Sequence, residues 1–177
     1  MKYYEALGIA PALALDAVEL KKRFLEQSRE HHPDRFARAS AADQQNALDM
    51  TALVNDAYRT LKDPVSRADY FLESSGIPPS KAAPPELLEE VFELNMALEE
   101  LRSGDDSARP QLTAARDRFQ GMLQDAGDEL QALFTKYDAS RDGAVLKQIR
   151  GVLDRRRYIS NLVRDVEKEL VPAEPLS

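Results

Sequence analysis

The chain has 177 residues, 43% hydrophobic and 31% charged, with 7 glycines, no tryptophan and no cysteine, a composition ordinary for one globular domain or two small ones. Its formal charge of −7 disfavours nucleic acid as a general partner, because a phosphate backbone needs a concentrated basic surface. The lack of cysteine rules out disulfides, thiol catalysis and cysteine-ligated zinc or iron–sulfur clusters held by this chain alone.

Both histidines stand together as His31-His32, so no metal site and no cofactor are expected. Met1-Lys2-Tyr3-Tyr4-Glu5 has no apolar segment of the secretory kind, and nowhere do eighteen apolar residues run together. A cytoplasmic protein without membrane contact is the expectation. The long Ala/Leu/Glu/Arg-rich stretches favour helix over sheet, which makes the expected fold class all-α.

Tyr3 to Leu7 reads as a short helix ended by Gly8. Asp16-Ala17-Val18-Glu19 has the spacing of a capping box and opens a helix. That helix closes near His31, because Pro33 disfavours the helical conformation at His32. After a loop, a helix is expected from about Ala41 to Leu61. Pro64 suits the first turn of the next one, running to about Ser74. The segment from Ser74-Ser75-Gly76 to Pro84-Pro85 is rich in proline and continues no helix. It sets the expected limits: a first domain over 1–75, a linker over 76–85, a second domain over 86–171 and a fraying tail over 172–177.

The second domain splits into three helical segments. Leu87, Val91, Leu94, Leu98 and Leu101 recur at 4-3-4-3 spacing, a heptad seam. Leu112, Ala115, Phe119, Met122, Ala126, Leu130, Leu133 and Tyr137 keep nearly that rhythm. Val145, Ile149, Val152, Ile159, Val163, Val166 and Leu170 keep it again, interrupted where Arg156 takes a seam position. The short polar connections Ser103–Ser107 and Asp138–Gly143 predict antiparallel neighbours in a three-helix bundle. Gly121 and Gly127 weaken the middle helix by roughly 1 kcal/mol each relative to alanine.

Three groups of residues carry functional signals. His32-Pro33-Asp34 reads either as a rigid recognition loop or as a helix-ending turn with Asp34 capping locally. A catalytic pair would want a nucleophile, a phosphate-binding loop or a metal beside it, and the catalytic residues expected are none. Lys21, Lys22, Arg23 and Arg29 on the preceding helix form a local positive patch in a half that is nearly neutral, or a solvated face. On the first bundle helix Leu88, Phe92 and Met96 make a second apolar stripe, about 140° from the seam at 100° per residue. Glu89 and Glu93 border it as a polar rim. The stripe is either a partner patch or further core.

These motifs occur in a recognisable order. Tyr3-Tyr4-Glu5-Ala6-Leu7-Gly8, His31-His32-Pro33-Asp34-Arg35-Phe36, Asn55-Asp56-Ala57-Tyr58-Arg59-Thr60-Leu61-Lys62-Asp63-Pro64 and Arg67-Ala68-Asp69-Tyr70-Phe71-Leu72 resemble the HscB-type J-protein cochaperones of iron–sulfur cluster assembly. The resemblance runs through the linker and the helical C-terminal part. It implies an N-terminal J-domain, an antiparallel helical hairpin with short helices, joined to an antiparallel three-helix bundle. It further implies two partners, a DnaK-type chaperone ATPase specialised for iron–sulfur assembly and the cluster scaffold protein. By the same resemblance Lys22, Arg23, Arg29, His32, Pro33 and Asp34 would meet the chaperone. Leu88, Phe92, Glu93, Met96 and the aromatic Tyr158 would meet the scaffold. Glu89 stands where the family often has an apolar residue, and Asn95-Met96 replaces a charged pair. The cysteine pairs of some eukaryotic relatives are missing, which favours a bacterial-type protein.

The implied role is to stimulate the chaperone's ATP hydrolysis and deliver the scaffold to it, so the chain itself is not an enzyme. Two alternatives remain at this stage: a J-protein recruiting a different client, and a small helical enzyme using His32 and Asp34 in acid–base catalysis.

Overall fold

The computed structural model of the protein describes residues 1–171; the expected fraying of 172–177 lies outside them. Seven α-helices, and no strand, occur among the described residues: α1 Lys2–Ala6, α2 Ala17–Glu30, α3 Ala41–Lys62, α4 Pro64–Ser74, α5 Leu88–Arg102, α6 Arg109–Ser140 and α7 Gly143–Leu170. The chain divides into two compact units, one comprising Met1–Pro78 with Leu133–Lys147, the other Pro79–Ala132 with Gln148 onward.

Helix limits in the first unit follow local chemistry. Asp16 caps α2 by accepting the Glu19 amide at 2.7 Å, but the expected capping box is only half built. The Glu19 carboxylate accepts from Arg23 Nε at 2.9 Å instead of reaching back to the cap. Ser40 and Asp63 cap α3 and α4 in the same manner, with Pro64 at the first helical position of α4. α2 and α3 run antiparallel. Phe24 stacks on Tyr58 at 4.2 Å between ring centroids, and the Thr51 hydroxyl donates to the His31 carbonyl at 3.0 Å. Leu20, Ala47, Val54, Ala57 and Leu61 are buried in this unit.

The expected limits, 1–75 and 86–171, are contiguous in sequence, and the compact units are not. Residues 133–147, read as part of the bundle, pack in the first unit. The reason is a burial that periodicity does not reveal. Phe134 is fully buried, and Tyr137 meets Phe71 edge-on at 5.5 Å. The Asp138 carboxylate accepts from the Leu13 amide at 3.0 Å and the Ala14 amide at 2.7 Å. Arg67, only 5% exposed, donates to the Leu13 and Leu61 carbonyls at 2.7 Å each and lies over the Phe134 ring. Burial lowers the Arg67 pKa, opposed by Tyr4, Asp63 and Asp138. The Tyr4 hydroxyl donates to the Ala12 carbonyl at 2.7 Å, and burial pushes its pKa well above the ordinary value. The loop leading into α2 is thus held by side chains from three helices.

In the second unit the three seams bury one another. Leu87, Leu94 and Leu98 pack with Leu112, Ala115, Phe119, Ile159, Val163 and Val166. Arg102 pairs with Glu169 at 2.8 Å and Arg155 with Glu86 at 4.0 Å, so α5 and α7 run parallel. Arg155–Glu129 and Gln120–Glu167 set α6 antiparallel to α7. α6 passes unbroken through Gly121 and Gly127. Burial of Phe119, Ala126 and Leu130 around them outweighs a propensity cost of about 2 kcal/mol. Arg156, expected on the seam, is half-buried, and Leu153 fills the core in its place.

Candidate functional site

Two surfaces emerge, one in each unit. In the first, α2 is tied to its neighbours through Leu20 and Phe24, which leaves the opposite face outward. An open groove of about 690 Å³ runs along it, lined by Ala17, Val18, Lys21, Lys22, Leu25, Glu26, Arg29 and Tyr58. At 100° per residue, positions 18, 22, 25 and 29 point within about 60° of one another. The structure therefore brings Lys22 and Arg29 together and adds Lys21. Arg23 does not join them, its guanidinium being engaged by Glu19 at 2.9 Å and Glu26 at 3.8 Å.

Just beyond α2, Pro33–Phe36 forms a 3-10 turn rather than an irregular loop. The Asp34 amide donates to His32 Nδ1 at 3.3 Å, and an Asp34 carboxylate oxygen lies 3.6 Å from that same nitrogen. The His32 and Asp34 side chains are 56% and 91% exposed. The pair therefore presents its polar atoms to solvent. Three residues that sequence reasoning did not single out shape this region. Arg35 donates to the Arg29 and Glu30 carbonyls at 3.3 and 3.5 Å, folding the turn back on the end of α2. Gln44 donates to the Ala37 and Ala39 carbonyls, and Thr51 holds His31. Only Arg35 had a visible signal, its place beside the tripeptide. Among the described residues no group of three or more His, Asp or Glu side chains is placed to hold a metal ion, and no helix is long and apolar enough to cross a membrane.

In the second unit, α5 turns Leu94, Ala97 and Leu98 inward and leaves Leu88, Phe92 and Met96 exposed at 55%, 66% and 52%. Three large apolar groups at i, i+4 and i+8 thus form one continuous outward stripe, bordered by exposed Glu89 and Glu93. Tyr158 differs from expectation. Seam geometry leaves it outside the core, yet it is half-buried against the bundle core cluster. Its free edge lines a small polar pocket with Ser80, Lys81, Ala82, Asp154, Arg157 and Asn161. Position 158 sits one residue before Ile159, about 100° round the helix, and its ring packs against the cluster that Ile159 helps to form.

Comparison with known proteins matches two stretches of the chain. Residues 2–70 match the family model described as DnaJ domain, and residues 83–167 match that described as HSCB C-terminal oligomerisation domain. A co-chaperone protein HscB homolog from Shewanella loihica is 33% identical over 172 residues, covering 95% of this chain and 96% of that protein. The chain belongs to the HscB co-chaperone family. An HscB homolog from Neisseria meningitidis serogroup C is 40% identical over 109 residues, 59% of this chain and 66% of its own length. Among solved structures, chaperone HscB from Vibrio cholerae aligns at 30% identity with a TM-score of 0.63, covering 95% of this chain and 96% of that one. Human co-chaperone HscB shares the fold at a TM-score of 0.69 and 24% identity, over 98% of this chain and 84% of its own. The N-terminal helices are thus the J-domain of an HscB-type co-chaperone, which implies a DnaK-type partner.

Proposed function

We propose that this chain stimulates the ATPase of a DnaK-type chaperone specialised for iron–sulfur assembly and delivers the cluster scaffold protein to it. The observation that carries the reading is the pair of outward surfaces, a cationic groove leading into the His32–Asp34 turn in one unit and an apolar stripe in the other. Lys22, Arg29, His32, Pro33 and Asp34 meet the chaperone, with Arg23 contributing less because two carboxylates already engage it. Leu88, Phe92, Glu93 and Met96 meet the scaffold, and Tyr158 contributes through its free edge. The ATP chemistry belongs to the chaperone; this protein supplies binding energy and timing, in a bacterial cytoplasm.

The test is a steady-state ATPase assay of a purified DnaK-type chaperone, run with and without a purified cluster scaffold. Stimulation by the parent, its loss in His32→Gln, and a further rise with scaffold that Phe92→Ala lacks are the expected results. Stimulation surviving His32→Gln refutes the J-domain half; unchanged scaffold response in Phe92→Ala refutes the scaffold half. The matched C-terminal family is an oligomerisation domain, which favours a second reading, in which the stripe joins copies of this chain. Sedimentation that shifts from dimer to monomer on Phe92→Ala would establish it.

A further inference from the structure

The groove on α2 has a floor that charge alone does not explain. Val18 is 79% exposed and Leu25 41%, and both line it with Ala17 and the Tyr58 ring. Seven residues apart, they point within about 20° of each other. Exposed aliphatic residues scattered singly are ordinary. These two share one face, and α2 is anchored without them, through Leu20 on the other side and Phe24 stacked on Tyr58. Lys21, Lys22 and Arg29 surround them, and Lys62 Nζ stands 5.7 Å from the centre of the Tyr58 ring. Among the described residues Glu26 is the one acidic group lining the groove.

An apolar floor inside a cationic rim complements an apolar side chain flanked by carboxylates. A purely acidic surface would satisfy the rim and leave Val18 and Leu25 against trapped water. Association surfaces put their binding energy in such a desolvated centre, with the polar rim excluding water around it. Arg29 lines the groove, and its carbonyl accepts from Arg35 of the His32–Asp34 turn, so whatever occupies the groove also lies beside that turn.

We propose that Val18 and Leu25 form the apolar floor of the chaperone-docking groove and receive an apolar side chain carried between acidic residues of the DnaK-type partner. This rests on the reading of α2 as the docking helix. The floor holds the complex when salt screens the rim, and it selects among DnaK-type partners by the apolar residue they offer.

The experiment uses the full-length protein and a purified DnaK-type chaperone, with affinity and stimulation measured at 0.1 M and 1 M salt, where the Debye length falls from about 10 Å to about 3 Å. Val18→Ser with Leu25→Ser should raise the concentration for half-maximal stimulation about tenfold and weaken binding comparably at both salts. Lys21→Ala with Lys22→Ala should weaken binding at low salt only. Circular dichroism checks that helix content is unchanged; should the serine pair disturb it, Val18→Thr with Leu25→Gln repeats the test. Serine-pair binding within about twofold of the parent at both salts, with His32→Gln inactive, overturns the floor and leaves the cochaperone reading standing. Full stimulation by His32→Gln overturns that reading and the floor with it. A parent dimer that the serine pair dissociates makes the occupant a second copy and overturns the proposal.

Discussion

Asp138→Ala tests the loop that leads into the docking helix. In the parent, one carboxylate accepts the Leu13 amide with both oxygens, at 3.0 and 3.1 Å, and the Ala14 amide at 2.7 Å. Leu13 is fully buried, and its carbonyl is held by Arg67 Nε at 2.7 Å. Truncation leaves the Leu13 amide without a partner in a largely dry place, a loss of about 1–3 kcal/mol. The Ala14 amide is exposed and recovers water, so its loss is nearer 0.5–1 kcal/mol, roughly that of an ordinary net hydrogen bond. Buried Arg67 also loses a nearby negative charge that favours its ionised form. The sum is about 2–4 kcal/mol, or a fall of about 5–15 °C in Tm for a chain of this length.

Tyrosine near-ultraviolet circular dichroism is the suitable probe. Five of the 6 tyrosines, Tyr3, Tyr4, Tyr58, Tyr70 and Tyr137, lie in the first unit, and there is no tryptophan. Asp138→Asn keeps one acceptor oxygen and should lose about half as much. Asp128→Ala, at an exposed position of the same helix, should stay within about 0.5 kcal/mol of the parent. If Asp138→Ala melts within about 1 °C of the parent, the reasoning that this carboxylate holds the loop is wrong.

Phe92→Ala should lower stability by less than about 1 kcal/mol in urea titration, because two thirds of the side chain is already in water (66% exposed). Phe119→Ala, fully buried, should cost about 3–5 kcal/mol in the same assay. Scaffold affinity of Phe92→Ala, read by calorimetry, should fall at least about tenfold, or roughly 1.4 kcal/mol. Asp34→Asn should retain parental helix content and melting while losing ATPase stimulation, since the 91% exposed carboxylate supports no core. Tyr4→Phe should remove part of the alkaline loss of stability. Burial raises the folded Tyr4 pKa, so the contribution of its neutral form is full below about pH 10, the value of a free tyrosine. It declines as pH rises from there toward the raised folded value, because the unfolded chain ionises first. Unfolding free energies measured from about pH 8 to pH 11 in both proteins check the slope.

Much of this protein is local chemistry written along the chain. Asp16, Ser40 and Asp63 cap helices they immediately precede, and Pro33 and Pro64 mark helix boundaries through steric rules that act on neighbouring residues. The heptad seam of α5 separated Leu94 and Leu98 from Leu88 and Phe92, because 100° per residue determines which side chains share a face. The motif order from Tyr3 to Leu72 was sufficient to place the chain among HscB-type cochaperones. What depended on tertiary structure joins residues far apart in sequence. Asp138 reaches Leu13 and Arg67 reaches Phe134 only because the α6–α7 end lies against the first helices, and no periodicity encodes that meeting. Arg23 and Lys21 looked alike as helix cations until the positions of Glu19 and Glu26 engaged one and left the other beside the groove. Tyr158 is drawn half into the bundle, although its heptad position faces outward. A repeat specifies a direction around one helix, whereas burial depends on how closely the neighbouring helices approach, and that distance is decided by the packing of all three.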